Sequence, residues 1–145
     1  MMQQKNFSHT ALNLAGAKKL VYTAMSKHLF YYRMHISKFV LEQNKVPLNP
    51  FMIFDYFLLD TIERDSVRDA NNSIVLRSDE IWVFGPISNG VLSEILIAQK
   101  AGKPIRYFQI EKPHNIIQAD MANIEMEKDV EEYRHLIFSE KTLQN

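Results

Sequence analysis

The chain has 145 residues, 46% hydrophobic and 23% charged, with 17 Lys+Arg against 17 Asp+Glu and no cysteine. That length suits one domain with a real core, and the balanced charge leaves no electrostatic case for a nucleic-acid polymer or an anionic membrane as partner. The missing thiols exclude disulfides and thiolate metal sites, and they fit a reducing cytoplasm.

Taken in chain order, Met1–Gly16 carries Lys5 but no long apolar run, so it does not read as a signal peptide. No later stretch is long and apolar enough to span a bilayer. Residues 1–17 read as a loose N-terminal arm and residues 18–145 as a single α/β domain. Leu20–Met25 is a short β-branched run expected as a strand buried on both faces. Phe30, Met34, His35, Ile36, Phe39, Val40 and Leu41 recur at helical spacing up to Asn44. Val46-Pro47-Leu48 is a brief strand that runs into a loop at Asn49-Pro50. Phe51–Thr61 is rich in aromatics and reads as a short helix or lid.

Glu63–Arg77 is helical, with Val67, Ala70, Ile74 and Val75 as its buried stripe. Ile81-Trp82-Val83-Phe84 is the clearest strand, and four large residues in a row place it at the centre of the sheet. A helix opens at Ser88-Asn89-Gly90 and closes at Ala101-Gly102-Lys103-Pro104. Ile105–Ile110 is a further strand, broken at Pro113, and Ala119–Phe138 reads as a long acidic helix. The alternation predicts a three-layer sandwich of flavodoxin- or Rossmann-like type: a parallel sheet of four or five strands with helices on both faces.

Ligands of open parallel sheets bind outside the carboxyl ends of the strands. Three such ends are visible: Met25-Ser26-Lys27-His28, Asn49-Pro50-Phe51 and Gly85 to Gly90. The third combines a tight turn, the Ser88 hydroxyl, the Asn89 amide and Gly90 at a helix start, where free N–H groups and the helix dipole favour an anion. Lys27 is the nearest candidate counter-cation and Lys112 the second; Lys112 and His114 read equally well as groups at this mouth or as a solvated loop. Ser88 or Asn89 reads equally well as a plain N-cap. Glu94, one turn into the helix, lies among Val91, Leu92, Ile95 and Leu96, where a carboxylate is suited to nucleophile or base chemistry. Asp79 and Glu80 precede the strongest strand, and Asp69, Asn71 and Asn72 sit on the helix before it. Tyr22 reads first as core. The five histidines show no metal-ligand spacing, so no metal or organic cofactor is expected.

Ser78 to Gly85, Ser88-Asn89-Gly90-Val91-Leu92-Ser93-Glu94-Ile95 to Ala98, and Gly102-Lys103-Pro104-Ile105 together resemble the nucleoside 2-deoxyribosyltransferase-like superfamily. That group includes the deoxynucleoside 5′-monophosphate N-glycosidases. The resemblance is close over about residues 78–108, and Leu20–Met25 and Asn49-Pro50 fit the same layout. It implies that Glu94 is the nucleophile, that Ser88 contacts a phosphate and that Asp69 assists the leaving base. Met25-Ser26-Lys27-His28 lacks the glycines that the N-glycosidase members carry near the sugar phosphate.

The resulting expectation is an enzyme, hydrolase or transferase, acting on the N-glycosidic bond of a nucleoside or its 5′-monophosphate. Glu94 attacks the anomeric carbon, and Asp69 or Asp79 serves as second acid. Gly85, Ser88, Asn89, Gly90, Tyr22, Met25, Ser26, Lys27 and Asn49 line the small-molecule site. A homodimer is also expected, from the resemblance and from the apolar excess around Phe51–Leu59. The alternative is a non-catalytic nucleotide-binding or sensing module of the same fold.

Overall fold

A computed structural model describes residues 6–55, 58–111 and 115–138. Strands β1 (Leu20–Met25), β2 (Val46–Leu48), β3 (Glu80–Gly85), β4 (Ile105–Glu111) and β5 (Asn115–Gln118) form one sheet in the order β2-β1-β3-β4-β5. The helices are α1 (Arg33–Glu42), α2 (Pro50–Ile53), α3 (Arg64–Arg77) and α4 (Asn89–Lys100), with 3-10 segments at Lys27–Tyr32, Leu58–Asp60 and Lys128–Ile137. The chain is an α/β protein.

All six residues of β3 are buried, and the strand lies third of five, as its run of large side chains predicts. Side chains alternate between two cores. Tyr22, Ala24, Ile81, Val83, Ile105 and Tyr107 point to the face covered by α3, α4 and the Lys128–Ile137 segment. Val21, Met25, Trp82, Phe84 and Phe108 point to the other face, under Leu29, Ile36 and Val40. There Phe39 packs edge-on against Trp82, Phe84 and Phe108.

Two expectations need correction. The sheet is mixed: β1, β2, β3 and β4 are parallel, but β5 pairs antiparallel with β4. Only residues 112–114 separate these two strands, and a parallel return needs a crossover of roughly a dozen residues or more. The long C-terminal helix is also absent. Asp120 instead accepts from the N–H groups of Ala122 and Asn123 at 2.7 and 3.2 Å, local bonds that compete with a helix. Met121, Ile124, Met126, Val130 and Ile137 are buried along an irregular path that becomes a 3-10 helix only at Lys128. Tyr133, in the same segment, is exposed.

The α3 stripe is narrower than expected. Val75 is its one buried residue, Ala70 is exposed, and Asn71 and Ile74 are half-buried. Phe51–Thr61 contains the four-residue α2 and a short 3-10 turn; Tyr56 and Phe57 lie outside the described residues, as do Lys112, Pro113 and His114.

Candidate functional site

Tyr22 is the third residue of β1 and is fully buried facing α3 and α4. A tyrosine hydroxyl removed from water needs a polar partner. It finds one in Glu94, six residues beyond the Ser88 N-cap of α4: the phenol donates to Glu94 Oε2. Asn71 of α3 closes the group. Its Nδ2 donates to Glu94 Oε2 at 2.8 Å and to the Tyr22 oxygen at 2.8 Å. A strand and two helices thus deliver one phenol, one amide and one carboxylate to a single point on the sheet face. Asn71 Oδ1 is buried and has no hydrogen-bond partner among the described residues. Both bonds to Glu94 fall on Oε2.

Burial raises the Glu94 carboxyl from its ordinary 4.5 to about 7, against the hydrogen bonds from Tyr22 and Asn71, which lower it. Burial, then the adjacent Glu94 charge and hydrogen bond, hold the Tyr22 phenol well above its ordinary value despite the opposing bond from Asn71. Near neutral pH, Tyr22 is therefore a fixed donor while Glu94 is poised between its two forms.

A family model for a domain of unknown function, DUF7768, matches residues 22–108, more than half of the chain. The chain belongs to the DUF7768 family. The matched region contains Tyr22, Asn71 and Glu94 together with the α4 start. None of the curated proteins matches the sequence. Among solved structures, the chain is similar to the CMP N-glycosidase BcmB of Clostridium botulinum. That similarity has 23% identity and a TM-score of 0.47, over 66% of this chain and 72% of that one.

The other expected site residues of this DUF7768 domain fall in several places. Ser88 is the N-cap of α4, its hydroxyl accepting from Val91 N at 3.2 Å. Asn89 and Gly90 are exposed, and a side chain added at Gly90 would meet only the Ser88 hydroxyl, 3.9 Å away. Gly85 is enclosed: a Cβ there would lie 2.8 Å from Ile124 Cγ1. Asn49 ties elements together. Its Nδ2 reaches Arg33 O, Ser37 Oγ and Met25 Sδ at 3.3–3.5 Å, and its Oδ1 caps α2 through Phe51 N at 3.0 Å. Lys27 is exposed beside the buried Ser26.

Asp69 is exposed on α3, and Asp79 accepts from Leu20 N at 2.7 Å at the amino end of the sheet. Neither is among the hydrogen-bond partners of Glu94, whose partners are a phenol and an amide. Asn71 stood out in the sequence only as one of two costly helical asparagines. Glu127 carried no signal, because its segment read as helix. Its Oε2 accepts from Ser26 Oγ at 2.7 Å.

A cleft of about 320 Å³ between α1 and β5, lined by His35, Lys38, Phe39, Glu42, Asn115 and Ile116, lies on the opposite face. Among the described residues no group of His, Asp or Glu is arranged to hold a metal. None of their helices is long and apolar enough to cross a membrane.

Proposed function

We propose that this protein cleaves or transfers the N-glycosidic bond of a nucleoside or nucleoside 5′-monophosphate, with Glu94 as nucleophile. The observation that carries the reading is the Glu94 carboxylate held against the sheet face by Tyr22 and Asn71. With Oε2 fixed by two donors, Oε1 attacks the anomeric carbon. The C–N bond breaks, the base departs with its electron pair, and a glycosyl ester forms on Glu94. Water, or a second base, then resolves the ester. The unpartnered Asn71 Oδ1 supplies an acceptor beside the reacting carbon, suited to a sugar hydroxyl.

The strand order supports a ligand at this end of the sheet. Connections diverge on either side of the β1–β3 pair, and such a switch point is where flavodoxin-type sheets bind their ligands. The Ser88 to Gly90 helix start and the Met25–Lys27 loop face that point in the proposal, and Asp69 remains its candidate second acid, since Asp79 is tied to Leu20 N at the amino end of the sheet.

A second reading, a nucleotide-binding module without chemistry, is favoured by the partners of Glu94 being a phenol and an amide instead of a second carboxylic acid. Incubation with a panel of nucleosides and nucleotides, followed by assay of free base, separates the two. Base release lost in Glu94→Gln establishes the enzyme; saturable binding with no base release establishes the module.

A further inference from the structure

The carboxyl ends of β1 and β3 are occupied by a carboxylate from the C-terminal segment. That segment runs alongside Ile87: Ile87 N donates to Glu125 O at 2.8 Å, Glu127 N donates to Ile87 O at 2.8 Å, and Met126 forms a single parallel bridge with Ile87. The track carries the Glu127 side chain across to Ser26, which directly follows β1 and is buried. The Ser26 hydroxyl donates to Glu127 Oε2 at 2.7 Å and also accepts from His28 N at 3.2 Å. Ser88, next to Ile87, spends its hydroxyl oxygen on Val91 N. Of these two serines, Ser26 has its proton committed to the Glu127 carboxylate, while the Ser88 hydroxyl serves as an acceptor for Val91 N.

We propose that Glu127 sets the substrate class: the site takes an uncharged nucleoside and turns away its 5′-monophosphate, with Glu127 accepting a hydrogen bond from the 5′-hydroxyl. This rests on the glycosidic reading above. A hydroxyl has a proton to give to a carboxylate. A phosphate monoester dianion has none, and it meets a like charge at short range, a juxtaposition disfavoured by orders of magnitude in affinity. Glu127 is a specificity-determining residue here and takes no part in bond cleavage.

Calorimetric titration with each common deoxynucleoside and its 5′-monophosphate, on wild type, Glu127→Gln and Glu127→Ala, tests this. Circular dichroism confirms that the variants fold, and the two substitutions guard against failure of either one. The expected result is at least one nucleoside bound about tenfold or more tightly over its monophosphate by wild type. Both substitutions then shrink that preference by about tenfold or more, chiefly through gained monophosphate affinity. Nucleoside binding retained with the preference unchanged by either substitution overturns the role of Glu127 and leaves the glycosidic reading standing. A wild-type preference for the monophosphate overturns it as well. Binding of neither member of any pair overturns both.

Discussion

Burial lifts the Glu94 carboxyl to about 7, while the Tyr22 hydroxyl and the Asn71 amide pull it back towards the carboxylate form. Only the ionised form is a nucleophile, so kcat/KM for base release rises with pH through about 7. Removing a donor removes a downward pull. Tyr22→Phe therefore moves the inflection to higher pH, and Asn71→Leu does the same. A pH–rate profile checks this, and an inflection left in place by both variants shows that a different group is titrating. Glu94→Gln retains an oxygen to accept both bonds but cannot form a glycosyl ester. The expected loss of base release is at least about a thousandfold, the scale on which removing a nucleophile acts. Full activity in that variant overturns the nucleophile assignment.

At the scale of elements, the end of β3 and the C-terminal segment are packed too closely for a side chain between them. A Cβ at Gly85 would stand 2.8 Å from Ile124 Cγ1 and 3.3 Å from Glu125 O. Ile124 is fully buried and cannot swing away. Gly85→Ala is expected to cost about 1–3 kcal/mol of stability, read from the denaturant midpoint. It also disturbs the track that positions Glu127. The elements differ in how openly the sequence announces them. β3 is legible because Ile81 to Phe84 needs cover on both faces, and α4 because Ser88 and Gly102 mark its ends. β5 is two isoleucines between polar residues, a pattern too short to separate from loop, and its direction follows from the brevity of residues 112–114. The C-terminal segment misled because its apolar residues are numerous enough for a helix, while Asp120 and Asn123 bend the backbone through local bonds that periodicity does not register. The site divides in the same way. Glu94 is conspicuous as a charge in an apolar stretch. Asn71 and Glu127 acquire meaning only when β1 brings Tyr22 and Ser26 to them from 49 and 101 residues away.

For the whole molecule, Tyr31, Met34, Met52 and Ile53 stand exposed on the segments around α1 and α2. Apolar side chains left in solvent support the expectation of a homodimer. Light scattering at micromolar concentration checks it, and a strict monomer rejects it. The pH dependence of folding is a second global consequence, and its sign comes from Glu94. Unfolded, this carboxyl has its ordinary value of 4.5; folded, it is held at about 7. A group whose folded value is raised contributes stability that is fully present below the unfolded value and is lost as pH rises through the folded one. Wild type therefore loses stability between about pH 4.5 and 7, by on the order of 3 kcal/mol from this group. Glu80 acts with the opposite sign. Burial alone would raise it, but the Trp82 and Arg106 hydrogen bonds and the Arg106 and Lys19 charges bring it below its ordinary value, so its contribution is lost on acidification. Comparing wild type with Glu94→Gln at each pH cancels Glu80 and every other group common to both. The variant is expected to be the more stable above pH 7, with the difference shrinking towards zero, or reversing, near pH 4.5. Urea titrations from pH 4 to pH 8 measure it, and a difference that stays constant across the range shows that folding does not shift the Glu94 carboxyl.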